Sequence, residues 1–489
     1  MRKTIKILVV SLFLVPLAAS AQSSDCVLLT HDLALGDTGS DVTKLQTFLK
    51  AHGYLIAPLV PTFGNATLTA VRSFQRAKGL SATGTVGPQT RNAIQKTCAA
   101  PEDSAPVSKS APNTFEVTGW LPYWRASSST KDVLPHLDLV SEVNPFVYTL
   151  KSDGTILDNG KMKEEPWVTF VATAQAKNVR VVPTVMSSSG ATLHQLLSVS
   201  KTRVALEDGL AALVKDNGWD GIDIDFEGKR AETKDYFSTF LKGLSQRLGK
   251  KWLMCTIESR TPISSRYYGA DIPPDAEIYS NDFTAINKYC DRVRIMAYDQ
   301  QGIDQELAAK AASSSQLYAP VADPYWVEKV VTVAKRSISA NKILIGVPTY
   351  GYEYDVTAYA NNEFQYKIKW TFNPGYAWQI AQQYGITPMR NQAGEMYLTY
   401  TPTSASSTGP VTLGSNPANS AVLAFTAAAA FADTYNAHQT FRLIDWPDAQ
   451  SIVGKAELAE RLGVRGISIF KFDGGEDQQM WTALIGVKR

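Results

Sequence analysis

The segment DGIDIDFEG, residues 220–228, sets four carboxylates among isoleucines, a phenylalanine and glycines. A strand points successive side chains to opposite faces, so Asp223, Asp225 and Glu227 share one face while Ile222, Ile224 and Phe226 share the other. In a closed parallel barrel one face meets the surrounding helices and the other fills the interior, and the apolar set suits the helices. The three acids therefore face inward, in steps of about 7 Å. Carboxylates that close and that buried do not all ionise, so protons are shared and at least one pKa rises. A carboxylic acid kept protonated near neutral pH is what general-acid chemistry requires. Glu227, at the carboxyl end of the strand, emerges where barrel enzymes do their chemistry. Asp220 lies off the alternating face at the strand's start, which marks it as structural. An acidic solvated edge is the competing reading, but the Ile and Phe run after Gly218 and Trp219 suits a central parallel strand better. A calcium or magnesium site would draw its oxygens from a Gly- and Asn-rich loop, and none flanks this segment.

Working outward, EVTGWLPYW, EVNPFVYTL, VRVVPTVMS, GWDGIDIDFE, WLMCTIES, DRVRIMAYD, KILIGVPTYG and GISIFKFDG are successive strand candidates. Helix-like segments such as KTRVALEDGLAALVKDN and TKDYFSTFLKGLSQRLG lie between most of them. That alternation predicts an α/β fold, a (β/α)8 TIM barrel over residues 115–485. An open doubly wound sheet would carry a Gly-rich phosphate loop after its first strand, and this chain has none there. The spacing breaks after the seventh candidate, where NEFQYKIKWTF, PGYAWQIAQQYG and EMYLTYTPT predict a small α+β insertion at about 352–440.

At 489 residues the chain has room for roughly three domains at about 150 residues each, fewer where one is a large barrel. Its 48 basic and 46 acidic residues leave a net charge of +2, too little to draw nucleic acid or an anionic membrane. MRKTIKILVVSLFLVPLAASAQ opens with Arg2, Lys3 and Lys6 before an apolar run and small residues, which predicts a signal peptide cleaved near Ala21 and an exported, soluble protein. Residues 99–113, AAPEDSAPVSKSAPN, form a linker by composition. Between them, residues 25–98 place Val42, Leu45, Phe48 and Leu49, then Leu68, Val71 and Phe74, at helical spacing, and a third short helix starts at Pro88. Three helices make a module small enough to need a staple, and Cys26 and Cys98 bracket it, so a disulfide is assigned there. Cys255, in the apolar run WLMCTI, reads as a buried thiol, and Cys290 has no metal-ligand spacing.

Two resemblances follow from these motifs. GDTGSDVTKLQTFLKAHGY, FGNATLTAVRSFQRAKGL and TGTVGPQTRNAI, in that order, resemble the peptidoglycan-binding domain type 1 family. DGIDIDFE resembles the Asp-x-x-Asp-x-Asp-x-Glu motif of glycoside hydrolase family 18, which includes many chitinases and N-acetylglucosaminidases. RIMAYD is similar to that family's Met-x-Tyr-Asp strand at Met296, Tyr298 and Asp299, and the likeness runs over about 115–485. The resemblance implies a retaining, substrate-assisted hydrolysis in which the sugar's own 2-acetamido group replaces a protein nucleophile. Glu227 would be the acid and then the base, Asp225 would orient the acetamido N–H, Asp223 would hold the proton balance beneath, and Tyr298 would bond the acetamido carbonyl. Asp299 and Met296 would contact the distorted sugar.

One departure stands out: where the family commonly carries a Trp as floor of the reactive sugar, GISIFKFDG has Phe470. Phe still stacks on a sugar but offers less area and no indole N–H. Tyr123, Trp124 and Tyr350, with Trp120, Tyr352 and Trp446, are further sugar platforms or packing residues. Glu258 either touches substrate or pairs with Arg260. The implied protein is a secreted or wall-associated hydrolase of peptidoglycan or chitin, a monomer without cofactor or metal and without nucleic-acid or membrane partner. A non-catalytic, lectin-like protein on the same barrel is the alternative that Phe470 and the attached module suggest.

Overall fold

The computed structural model describes residues 29–487 except 30, 53, 56–57, 79, 100–114, 314–315 and 403–420. The expected signal peptide, nearly all of the expected linker and Cys26 fall outside the described residues, and with Cys26 the expected bridge to Cys98. The chain divides into two compact units, Met1–Ser110 and Ala111–Arg489. Among the described residues no helix is long and apolar enough to cross a membrane.

In the first unit, helices α1 (Ser40–Ala51), α2 (Asn65–Ala77) and α3 (Pro88–Ala99) bury Val42, Leu45, Phe48, Leu49, Val71, Phe74 and Ile94 in one small core. Two buried glutamines occupy matching places on α1 and α2. Gln46 donates to Thr67 Oγ1 and the Thr62 carbonyl and accepts from the Val60 N–H, while Gln75 donates to Thr90 Oγ1 and the Thr85 carbonyl and accepts from Gly84. Each side-chain amide thus pins the loop that follows its own helix, supplying partners that a core this small lacks in backbone ladders.

The second unit holds eight parallel strands in a closed ring: β1 (Glu116–Pro122), β2 (Glu142–Leu150), β3 (Thr184–Ser187), β4 (Gly221–Phe226), β5 (Trp252–Glu258), β6 (Arg292–Met296), β7 (Ile343–Pro348) and β8 (Gly466–Phe470), with β8 pairing back onto β1. Helices such as Ser200–Asp216 and Lys234–Leu248 cover the outside with Leu206, Leu210, Phe237, Phe240 and Leu244 against Ile222, Ile224 and Phe226. The (β/α)8 reading of the sequence therefore holds. Cys255 does not stand as a thiol: it bonds Cys290 across a 35-residue separation, with Cα atoms 6.0 Å apart. Its apolar setting is real, since both cysteines are buried, but the helix Phe283–Tyr289 delivers Cys290 to the outer face of β5. A loop of that length makes the bridge worth roughly 3–4 kcal/mol.

The insertion is an antiparallel sheet ordered Glu363–Phe372, Gly351–Tyr359, Gln439–Trp446, Met396–Tyr400 and Met389–Arg390, joined by helices Pro374–Tyr384 and Leu423–Tyr435. It runs past the expected limit near 440 because Gln439–Trp446 pairs with Gly351–Tyr359 from Tyr352 to Ala358. Trp446, considered as a sugar platform, is fully buried in this sheet. The sheet closes around Glu353, whose carboxylate accepts from Trp370 Nε1 (2.6 Å), Tyr376 (2.9 Å), Tyr400 (2.7 Å) and Arg442 (2.7 Å).

Charges fill the amino end of the barrel. Glu116, the first residue of β1, pairs with Arg180 (3.0 Å), Arg292 (2.9 Å) and Arg465 (2.8 Å), and Arg180 also bonds Glu142 at 2.9 Å. The indole of Trp252 lies against Arg180 and Arg292 at 4.6 and 5.0 Å. Burial pushes the Glu116 carboxyl up, but the three arginines outweigh it and hold it at about 2, against an ordinary 4.5. A group depressed on folding stabilises the native state above its unfolded pKa and ceases to do so as pH falls through its folded one. Urea unfolding at stepped pH should therefore show the wild type losing stability between about pH 5 and 2 more steeply than Glu116→Gln, on the order of 1.4 kcal/mol per unit of displaced pKa. Equal slopes would exclude this cluster as a source of acid sensitivity.

Candidate active site

The carboxyl ends of the strands carry the acids that alternation placed inward. Asp223 is fully buried and accepts from Thr184 Oγ1 (2.8 Å), Thr256 Oγ1 (2.9 Å) and Trp120 Nε1 (3.1 Å), and it faces Arg294 Nη1 at 2.8 Å. Arg294 continues to Glu142, so a negative charge at the barrel's centre is neutralised from below. Asp225, one step nearer the mouth, is 4% exposed, and its Oδ1 has no hydrogen-bond partner among the described residues. Burial raises its pKa well above the ordinary value, and the charges of Glu227 and Asp223 push the same way against Lys229. Glu227 is half-buried at the end of β4. Burial and then Glu258 and Asp299 raise its carboxyl, while a hydrogen bond with Asp225 and the Lys229 charge oppose the rise. Two neighbouring carboxyls with raised pKa values hold protons between them, and the half-exposed one is placed to hand a proton outward.

The rest of the mouth is aromatic. Tyr298, just beyond β6, is buried, and burial followed by the Asp225 charge drives its pKa well above that of a free phenol, so it remains an O–H donor. Its ring stacks on Phe470 at 5.6 Å and 18°. A side chain at Gly346 on β7 would bring its Cβ to 2.5 Å from the Ile295 carbonyl and 2.8 Å from the Tyr298 ring, so only glycine leaves room for that ring. Phe470 is half-buried, with Trp120, Phe146 and Tyr350 around it at 5.7, 6.3 and 6.0 Å. Asp299 sits at φ 59, left-handed backbone that costs a non-glycine residue about 1 kcal/mol or more. It accepts hydrogen bonds from Tyr350 and Tyr352 at 2.5 and 2.6 Å.

Of the residues singled out in the sequence, Asp223, Asp225, Glu227, Tyr298, Asp299, Tyr350 and Phe470 converge at this mouth. Met296 is half-buried at the end of β6, opposite Glu258 in register. Tyr123 and Trp124 are exposed in the turn after β1, edge to face at 5.1 Å. Trp120 is no exposed platform: only 1% exposed, it lies under Phe470 with its indole N–H spent on Asp223. Asp220 accepts from the Val181 N–H at 2.9 Å and ties β4 to the segment leading into β3. Glu258 accepts from Asn281 Nδ2 (2.6 Å) and the Gly228 N–H (3.1 Å) and faces Lys229 at 3.6 Å, with no ion pair to Arg260. Arg294, Thr184, Thr256 and Lys229 were not foreseen. Arg294 was within reach, because Arg294, Met296 and Tyr298 alternate in RVRIMAYD just as the acids do in β4.

The family model for glycosyl hydrolases family 18 matches residues 118–475, and that for a putative peptidoglycan binding domain matches residues 38–94. A Bacillus subtilis protein described as uncharacterized glycosylase YvbX is 26% identical over 213 residues, 43% of this chain and 56% of that one. The chain spans about half the length of the curated relatives it matches. The Bacillus cereus spore cortex-lytic enzyme SleL shares the fold at a TM-score of 0.55 and 16% identity, over 77% of this chain and 74% of that one. A chitinase from Chromobacterium violaceum does so at 0.55 and 17%, over 76% and 98%.

Removing Arg294 would leave Asp223 without its counter-charge in a dry interior, a loss that typically costs about 3–5 kcal/mol, while Glu142 keeps Arg180. Arg294→Met should lower unfolding free energy by that order in urea titrations, and Asp223→Asn added to it should recover part of the loss. A single variant as stable as wild type would show that the pair is not what neutralises Asp223.

Proposed function

The chain belongs to glycosyl hydrolases family 18, and from that membership we propose that it is an exported hydrolase of β-1,4-linked, N-acetylglucosamine-containing polysaccharide, acting by a retaining, substrate-assisted mechanism. The observation that carries the reading is the graded carboxylate series on β4: Asp223 ion-paired at the centre, Asp225 buried with a free oxygen, Glu227 half-exposed at the mouth. In this mechanism Glu227 gives its proton to the glycosidic oxygen as the bond to C1 breaks. The substrate's acetamido oxygen closes on C1, with its N–H donating to Asp225 and the Tyr298 hydroxyl donating to the acetamido oxygen. Glu227, now a carboxylate, takes a proton from water attacking C1 from the vacated side, which restores the original configuration. Phe470 floors the reactive sugar, and Asp299, held by two tyrosines, contacts it beside the acetamido group. Peptidoglycan is the favoured polymer, because the helical unit matches a peptidoglycan-binding model and would hold the barrel at the wall; the leader at residues 1–21 would deliver it there.

Glu227→Gln should lower kcat by on the order of 10²–10⁴ on either polymer while oligosaccharide binding persists. Reducing ends released at the wild-type rate would end this assignment, and a wild type that binds both polymers yet cleaves neither would favour the lectin-like reading. The pH profile gives a second check. The acid works protonated, so activity falls as pH rises through the Glu227 pKa, and Glu258 is the strongest charge raising that pKa. Glu258→Gln should move the alkaline limb of kcat/KM to lower pH; an unmoved limb would detach Glu227 from it.

A further inference from the structure

Beside the carboxylate series, beyond Glu258, lies a cavity of about 530 Å³ lined by Glu258, Arg260, Arg266, Tyr267, Tyr279 and Asn281 among others. It shares a wall with the proposed catalytic centre, since Glu258 accepts from the Gly228 N–H one residue after Glu227. Its volume is that of a site for a small organic group rather than of a packing defect. The lining's carboxylate is already engaged: Glu258 is held by Asn281 and Gly228 and faces Lys229 at 3.6 Å. Asp282, close behind, is taken up by the N–H groups of Thr284 and Ala285 as a helix cap.

The cations, by contrast, form no ion pair among the described residues, although the charges of Glu258 and Asp282 reach Arg260. The Arg260 guanidinium is sandwiched between Tyr279 and Phe283, with its carbon 3.9 and 3.7 Å from the ring centroids, and its Nη2 bonds the Asn281 carbonyl. Stacking and the Asn281 bond hold the guanidinium in one orientation, and its remaining N–H groups suit an in-plane, two-pronged acceptor, the geometry of a carboxylate. Arg266 is exposed on the same lining, its guanidinium 5.3 Å from the Tyr267 ring and in no ion pair among the described residues. A cavity with one oriented cation and one exposed one, whose acid is otherwise occupied, selects an anion.

We propose that this cavity is a carboxylate subsite of the same cleft, in which Arg260 and Arg266 take the carboxylate carried on alternate sugars of peptidoglycan, either the lactyl group itself or the peptide attached to it. Chitin bears no such group. The cavity would therefore set the choice between the two polymers, and the inference rests on the hydrolase reading above.

The test compares kcat/KM on peptide-bearing glycan strands, on strands freed of peptide by an amidase so that the lactyl carboxylates are bare, and on chitohexaose, for the full-length wild type, Arg266→Ala, Arg266→Lys and Arg260→Met/Arg266→Ala. The ratio of glycan to chitohexaose activity should fall at least tenfold in the double variant and by a smaller factor in Arg266→Ala, with Arg266→Lys recovering part. A fall on both kinds of strand assigns the lactyl carboxylate, and a fall confined to peptide-bearing strands assigns the peptide's. Equal losses on all three substrates, or none, would overturn the subsite. Because Arg266 is exposed, its variants report even if loss of Arg260 disturbs the loop. Should the wild type cleave none of the three, the hydrolase reading fails, and the same ratios taken from calorimetric affinities decide the subsite on their own.

Discussion

The ion pair between Asp223 and Arg294 sits where no water can replace either partner, and much of the second unit is arranged around that fact. A carboxylate buried in the middle of a barrel needs a counter-charge and several donors, and Asp223 receives them from four different strands: Trp120 of β1, Thr184 of β3, Thr256 of β5 and Arg294 of β6. Arg294 in turn needs an acid below it, which Glu142 supplies, and Arg180 then links Glu142 to Glu116 and its further arginines. Charge alternates from the mouth of the barrel to its amino end. Each ion is acceptable only because its neighbours are present. At the top of this column Asp223 adds to the burial and the Glu227 charge that push the Asp225 carboxyl up.

How far this was legible in the sequence depends on how the strands were read. The alternation argument, applied to residues 220–228, placed the acids inward and separated Asp220 from them, and the structure has the same division. The same argument applied to RVRIMAYD or EVTGWLPYW would have sent Arg294 and Trp120 inward as well. Those side chains look ordinary because their partners lie on other strands, and pairing across a barrel leaves no local spacing. Cys255 was misread for a related reason. Its burial is a property of its own strand, but its bond depends on a helix end 35 residues further on. The strand Gln439–Trp446 escaped notice because its central place in the insertion comes from pairing with Gly351–Tyr359, not from a strong period of its own.

Phe470 shows how a departure from a family pattern is absorbed by its surroundings. The ring has aromatic neighbours on several sides, and the nearly parallel Tyr298 ring backs it. The Trp120 indole beside it directs its N–H down at Asp223 rather than out at the mouth. Phe470 therefore keeps the apolar face of that position, while the Trp120 N–H serves the buried carboxylate instead.

The insertion's first strand carries Tyr352, and Tyr350 immediately precedes it; both donate to Asp299 on the barrel. Seen as a matter of modularity, the insertion and the barrel do not share a clean seam. A chimera that exchanges the sheet for another at its visible boundary, Gly351 to Trp446, would carry away one of the two hydroxyls that secure Asp299 in left-handed backbone. An exchange that is to keep Asp299 held must therefore keep both tyrosines, and the insertion is a contributor to the mouth rather than an interchangeable part.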